Sequence, residues 1–252
     1  MTKLLTIDGN PKTAKGSKKG YLTAVMHLAP GRLSGFNVCP KATAGCLAAC
    51  LNTAGRGGLD AGSRIHYADL VAGTRINSVQ AARQWRTRRL FEHRAAFMAD
   101  LVRELGAFVR RAKRQGLIPA VRLNGTSDIR WEATAFHVNG KSVFDTFPDV
   151  QFYDYTKLPN RRVLPSNYRL TFSYADGNMA DVETAIANGL NVAVVFRSAA
   201  NRWDYMTGDG FMGLPVIDGD ETDLRFLDPV GSIVGLYAKG DARRDMSGFV
   251  VD

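Results

Sequence analysis

Short apolar segments rich in β-branched and aromatic residues recur along the chain and predict seven strands. From residue 150 onward they are separated by segments such as NMADVETAIANG, whose apolar residues follow the helical period and whose last residue is glycine. Strands that alternate with helices predict a parallel sheet with right-handed crossovers. The seven strands are expected at residues 21–30, 118–125, 150–156, 168–175, 191–197, 214–218 and 232–239.

Seven such units in 252 residues suit a TIM-like (β/α) barrel, partial or closed, or an open doubly wound sheet. We favour the barrel because several predicted strands end in a polar side chain just before a loop. Residues 21–252 would form this single domain, after a flexible basic lead-in at residues 1–20. The polar strand ends would meet at one mouth, with Asn124, Thr126, Asp128, Tyr155, Ser173, Tyr174 and Lys239 as substrate-binding residues and Glu132, Lys157 and Arg197 as catalytic residues.

Three of these residues also have simpler interpretations. Asp128 can cap a helix, and Glu132 can lie in the first turn of that helix, where its carboxylate faces the positive end of the helix dipole. Lys157 can bind an anion or act as a base, or it can be an ordinary surface ammonium. The sequence leaves these alternatives open.

The composition indicates an ordinary globular protein, since 45% of the residues are hydrophobic and 23% are charged. No apolar run approaches the roughly 18 residues of a membrane span. The first twenty residues lack the apolar stretch of a secretion signal. We therefore expect a cytoplasmic protein, in a reducing compartment where cysteines act as ligands or nucleophiles more often than as disulfides.

Most of the net charge of +9 is concentrated in one segment. Between Arg83 and Arg114 there are ten basic residues and three acidic ones, and the apolar residues there follow the helical period. The basic residues are thus expected mostly on the outer face of a helix or helix pair. That face is either simply solvated or a surface for nucleic acid.

The cysteines carry the most specific chemical signal. Cys39, Cys46 and Cys50 are the three cysteines of the chain, with six and then three residues between them. AGCLAACLN favours a helix, which would place Cys46 and Cys50 on one face about 5–6 Å apart. Pro40 keeps Cys39 on an extended approach. Three such thiolates can reach one 4Fe-4S cluster and leave its fourth iron open.

Other interpretations of the cysteines remain. Free cysteines can pack as small apolar side chains. A structural zinc site needs four ligands, and the nearest downstream histidine is His66. A disulfide is the weakest alternative, because one cysteine would be left over.

Two resemblances follow from these segments. The order of strand, three-cysteine loop and helix resembles the radical S-adenosylmethionine enzymes, which implies that cofactor. However, those enzymes space their cysteines more closely, and LNGTSD lacks their Gly-Gly-Glu, so S-adenosylmethionine is the weaker cofactor prediction. The chain also resembles the gene-product eighty-eight proteins of mycobacteriophages over most of residues 20–240. That resemblance rests on CPKATAGCLAAC, LNGTSDIRWE, FYDYTK and TFSYAD, and it implies a viral origin and an iron-sulfur cluster on a barrel.

The sequence therefore predicts an iron-sulfur redox or radical enzyme, with an electron donor as partner and a small-molecule or nucleic-acid-linked substrate. If the protein is viral, its place is the host-cell cytoplasm. The alternative is a nucleic-acid-binding protein in which an iron-sulfur cluster or a zinc ion is a structural element.

Overall fold

A computed structural model describes residues 2–9, 11–161 and 163–252. The strands are β1 (Leu5–Ile7), β2 (Tyr21–Met26), β3 (Leu59–Asp60), β4 (Ser63–Arg64), β5 (Ile118–Arg122), β6 (Gln151–Thr156), β7 (Tyr168–Ser173), β8 (Asn191–Phe196), β9 (Val216–Asp218), β10 (Ile233–Tyr237) and β11 (Val250–Val251). The α-helices are α1 (Pro11–Ala14), α2 (Ala44–Ala48), α3 (Tyr67–Ala72), α4 (Ser78–Glu92), α5 (Arg94–Arg114), α6 (Val143–Thr146), α7 (Met179–Ala187) and α8 (Ala199–Thr207).

One large sheet organises the chain, in the order β1-β2-β5-β6-β7-β8-β10-β9. Neighbouring strands are parallel except for β1, which runs antiparallel to β2, and β11 adds in parallel to the end of β8. All seven predicted strands are present, as β2 and β5 to β10. The predicted α/β class with a mostly parallel sheet is therefore confirmed.

The predicted TIM-like barrel, partial or closed, is not confirmed. Its edge strands are β1 and β9, and they do not pair with each other in the part of the chain that the structure describes. Instead, the N-terminal segment contacts the loop after β9. Lys12 lies 3.1 Å from Asp220, and Lys19 lies 3.0 Å from Glu221. These two ion pairs link the N-terminal segment to the loop after β9, whereas a closed barrel would need backbone hydrogen bonds between edge strands.

Helices cover one face of the sheet in two groups. α5 packs on β2 and β5, and α4 packs beside α5; Phe97 and Leu101 belong to the same core cluster as Leu22 and Phe152. α7 and α8 pack on the later strands around Phe196. A small apolar cluster of Ala120, Tyr153 and Leu224 lies apart from both groups. No described helix has both the length and the apolar character needed to cross a membrane.

The N-terminal segment differs from the predicted flexible lead-in. Residues 5–7 form β1, and residues 11–19 form α1 and a 3-10 helix. The backbone N–H groups of Leu4 and Leu5 donate to the Glu104 carboxylate on α5 at 3.0 Å, and both leucine side chains are buried. The local sequence did not reveal this strand because its anchor lies about a hundred positions away.

We expect Glu104→Gln to lower the free energy of unfolding by about 1–3 kcal/mol, because it removes a charged acceptor of two backbone N–H groups. Urea unfolding measures the change. Glu92→Gln, at an exposed position on the preceding helix, is the matched control. Equal stability of the two variants would contradict the anchoring role of Glu104.

Candidate metal centre

The three cysteines follow the carboxyl end of β2, as predicted. Cys39 lies in the loop before α2, Cys46 lies within α2, and Cys50 is the residue that precedes a short 3-10 helix, Leu51–Thr53. All three side chains are partly buried, and none is in a disulfide. The thiols therefore come from three different local structures.

The predicted single helix through Cys46 and Cys50 is not formed. α2 ends at Ala48, and Cys50 is extended, with φ −58° and ψ 133°. The reason is local hydrogen bonding: the Cys50 sulfur accepts the Asn52 N–H at 3.5 Å, and its carbonyl accepts the Thr53 hydroxyl at 3.2 Å. Cys46 and Cys50 thus approach the site from different directions.

The three thiols interact with one another electrostatically. Burial raises the pKa of Cys39 to about 12; the Gly31 N–H, which donates to its sulfur at 3.4 Å, lowers that pKa, and Cys50 and Cys46 raise it. Burial likewise raises the pKa of Cys50 to about 11, against the Asn52 N–H, and Cys46 raises it further. With pKa values this high, the Cys39 and Cys50 thiols stay protonated near neutral pH unless a cation replaces the proton.

Tyr67 and Arg83 also belong to this site, although no sequence motif pointed to them. Burial raises the pKa of the Tyr67 phenol to about 12, and Cys50, Cys39 and Cys46 raise it further. A Cβ atom at position 31 would lie 2.8 Å from the Tyr67 hydroxyl, so Gly31 admits this ring beside the thiols. Arg83 lowers the pKa of Cys50, and its guanidinium donates to the Asn52 carbonyl at 2.6 Å.

Lys157 is the predicted catalytic residue that reaches the cysteines. Its ammonium lowers the pKa of Cys50 and lies 5.8 Å from the centre of the Phe249 ring. Tyr155, two residues earlier, is covered by the Arg122 guanidinium at 4.5 Å. Lys157 therefore lies near the cysteine site after the end of β6, while the Tyr155 ring packs against Arg122.

Asn124 organises the loop after β5, and Thr126 contacts the segment that follows β2. The Asn124 side-chain oxygen accepts from Ser127, Ile129 and Trp131, and its NH₂ group donates to Ile129 and Asp154. The Thr126 hydroxyl donates to the Leu28 carbonyl at 2.6 Å, and the Thr126 carbonyl lies 3.8 Å from the Cys39 sulfur. Their polar atoms are thus engaged internally, and substrate binding by them stays a prediction.

Asp128 and Glu132 are not in a helix, so neither has the predicted capping role. Asp128 is buried, which raises its pKa, and it accepts from the Thr156 hydroxyl and the Lys157 N–H, both at 2.8 Å. Glu132 accepts two hydrogen bonds from Arg161, at 3.0 and 2.7 Å. Asp128 thus fixes the backbone of Lys157, and Glu132 forms an ion pair with Arg161.

The four remaining predicted residues are held by partners of their own. Tyr174 packs edge-on against Phe211, and the Ser173 carbonyl accepts from the Asn178 side chain. Arg197 pairs with Asp252 at 2.6 Å, and Lys239 pairs with Asp220 at 2.6 Å. Their proposed catalytic and binding roles stay predictions.

The basic segment from Arg83 to Arg114 is only partly an outer face. Arg83 points into the cysteine site, Arg86 donates to the Lys3 and His27 carbonyls, Arg88 donates to the Ser34 carbonyl, and Arg89 pairs with Asp100. The prediction of a mostly external stripe therefore fails for α4, where structural hydrogen bonds use the guanidinium groups. The exposed basic residues of the segment are Arg88 on α4 and Arg94, Arg103, Arg110, Arg111, Lys113 and Arg114 on α5.

No group of three or more His, Cys, Asp or Glu side chains among the described residues is arranged to hold a single metal ion. A structural zinc ion needs four donors about 2.0–2.3 Å from one point. Cysteines that bind an iron-sulfur cluster have a different requirement, since each ligates a different iron.

Asp154 joins β5, β6 and β7 beneath this site. It is buried, accepts from the Asn124 N–H at 2.7 Å and lies 2.9 Å from the Tyr168 hydroxyl. Burial raises the pKa of Asp154 to about 7, although Arg122 opposes the shift. The folded protein therefore holds this proton more tightly than the unfolded chain does.

The contribution of this proton to stability is complete below about pH 4 and is lost as the pH rises towards 7. Because asparagine mimics the neutral acid, we expect Asp154→Asn to lose less unfolding free energy between pH 5 and pH 8 than the unmodified protein. Urea unfolding at both pH values tests this, with the exposed Asp149→Asn as the control. If all three proteins lost the same unfolding free energy between pH 5 and pH 8, the raised pKa of Asp154 would be contradicted.

Comparison with known proteins places the chain in a family. Residues 3–252 match the family model described as gene product 88. No curated protein and no solved structure matches the chain, and no comparison supports the more distant likeness to radical S-adenosylmethionine enzymes. Because the match covers nearly the whole sequence, the chain belongs to the gene product 88 family of bacteriophage proteins.

Proposed function

We propose that this protein binds a 4Fe-4S cluster through Cys39, Cys46 and Cys50 and works as a redox or radical enzyme. The observation that supports this most is the approach of three partly buried thiols from separate local structures, which interact electrostatically with one another. Three cysteines leave one iron without a protein thiolate. Such a cluster supplies one-electron chemistry and an open iron for a substrate.

The surrounding residues suit such a group in two ways. The Gly31 and Asn52 N–H groups already donate to two of the sulfurs, and hydrogen bonds of this kind raise a cluster's reduction potential. Arg83 and Lys157 place positive charge near Cys50. That charge offsets the negative charge of thiolates and sulfides in a partly buried site.

Tyr67 and Lys157 are the residues that would meet a substrate at the open iron. The Tyr67 hydroxyl can donate a hydrogen bond, and the Lys157 ammonium can bind a carboxylate or phosphate. This favours an anionic small molecule or a nucleotide-bearing substrate, with S-adenosylmethionine as a weaker candidate. Glu132 and Arg197 are the less favoured catalytic residues, because each already has an ionic partner.

The proposal also requires a partner and a compartment. A redox enzyme of this kind draws electrons from a separate donor protein. The host-cell cytoplasm suits it, since a reducing compartment keeps the three cysteines free for ligation.

Protein purified without oxygen should contain about four irons and four sulfides per chain. We expect Cys39→Ser, Cys46→Ser and Cys50→Ser each to lose most of this iron, because the chain has no other cysteine that could replace the missing ligand. Chemical iron and acid-labile sulfide assays measure the content.

Ala48→Ser is the matched control, since it adds a hydroxyl to the exposed side of α2 and keeps all three thiols. It should retain the iron. The proposal fails if the unmodified protein stays free of iron and sulfide after anaerobic reconstitution, or if the serine variants keep the same content.

Replacing Lys157 should change the reduction potential rather than the iron content. Loss of a nearby positive charge favours the more positive, oxidised state, so we expect Lys157→Gln to lower the potential by about tens of millivolts. Lys157→Arg should largely restore it, and the exposed Lys141→Gln should leave it unchanged. Redox titration measures the values; equal potentials in the Gln and Arg variants would remove Lys157 from the site.

A further inference from the structure

Two basic segments that are far apart in the sequence meet at the amino ends of β2 and β5. The 3-10 helix Lys15–Lys19 leads into β2, and α5 leads into β5. β2 and β5 are parallel neighbours with Tyr21 opposite Ile118, and the Ile118 N–H donates to the Gly20 carbonyl at 2.8 Å. The last turns of both helices are basic, so their cations are brought to the same end of the sheet.

We call this set the amino-end basic surface; it consists of Lys15, Lys18, Lys19, Arg110, Arg111, Lys113 and Arg114, all of them exposed. Residues 11–20 and 110–117 together contain eight of the 33 basic residues of the chain and none of its 24 acidic residues. The other 25 basic residues therefore nearly balance those acids. These two segments therefore carry a net charge of +8, and residues 110–114 are also the last part of the basic segment from Arg83 to Arg114.

Little in the described structure compensates this charge. Lys19 pairs with Glu221 at 3.0 Å, but both side chains are more than half exposed, and such a pair contributes little. Arg111 lies within electrostatic range of Asp8. One or two cations suffice to stabilise a helix C-terminus, which is worth about 0.3–1 kcal/mol. The seven exposed cations of this surface are more than two helix C-termini require for stabilisation.

The surface also lacks the features of a single-strand binding site. The exposed large apolar side chain next to this surface is Ile118. Among the described residues, the exposed tryptophans are Trp85 and Trp203, and both lie in other segments. Proteins that bind single strands stack bases on aromatic rings, whereas contact with a duplex can rest on phosphates alone. The chemistry therefore suits the backbone of a double helix.

We propose that the amino-end basic surface binds the phosphate backbone of duplex DNA without sequence preference. It lies at the opposite end of the sheet from the cysteines, which follow the carboxyl end of β2. The two activities are thus separate, and DNA binding does not depend on the proposed cluster.

The test is fluorescence anisotropy with a labelled DNA duplex of arbitrary sequence, at salt concentrations from about 50 to 200 mM. The full chain should bind with a steep salt dependence. The variant Lys18→Gln/Lys113→Gln/Arg114→Gln should lower the slope of log affinity against log salt by about 2.7, or about 0.9 for each phosphate that is no longer neutralised. The control Arg32→Gln/Arg56→Gln/Lys141→Gln removes the same charge from exposed positions elsewhere.

We expect the control variant to keep the slope of log affinity against log salt, and the surface variant alone to lower it. Absence of binding at 50 mM salt would overturn the proposal, as would equal reductions in the two triple variants. Tighter binding to the matching single strand, to duplex RNA or to anionic lipid vesicles would also overturn it, since each identifies another polyanion as the partner. Unfolding curves check that both variants are folded.

Discussion

The parallel pairing of β2, β5 and β6 is the constraint on which the rest of this structure depends. A parallel sheet has two unlike ends, because all the strands leave at one end and enter at the other. The cysteine loop leaves β2 at its carboxyl end, where the loop after β5 and Lys157 after β6 also lie. The two helices with basic last turns enter at the amino end. One pairing pattern thus produces two chemically different surfaces.

The carboxyl-end site is held by buried polar contacts. Asn124 and Asp154 link β5 to β6, and Asp128 fixes the start of the loop that carries Lys157. Unpaired polar groups are costly in such surroundings, so these side chains have little freedom to move. The same rigidity brings the Thr126 carbonyl close to the Cys39 sulfur. Thr126, which the sequence suggested for substrate binding, therefore also contacts the cysteine loop.

The sequence predicted what depends on local pattern. Apolar periodicity located all seven principal strands, and the order of the segments placed the three cysteines after the carboxyl end of β2. It did not predict β1, whose anchor Glu104 lies on α5, nor the end of α2 at Ala48, which hydrogen bonds around Cys50 determine. Tyr67 and Arg83 reach the thiols through tertiary packing, which leaves no trace in a single sequence. Strand pattern likewise does not encode the contacts between the N-terminal segment and the loop after β9.

The central claim is that three thiols hold one cluster with a distinct fourth iron. A Mössbauer spectrum of protein reconstituted anaerobically with ⁵⁷Fe tests it most directly, because irons with different ligands give different signals. We predict a 4Fe-4S spectrum in which one iron differs from three thiolate-bound irons and shifts when an anionic ligand is added. A spectrum of unspecific iron alone, with no cluster, would contradict the account and leave the cysteines as buried, unligated side chains.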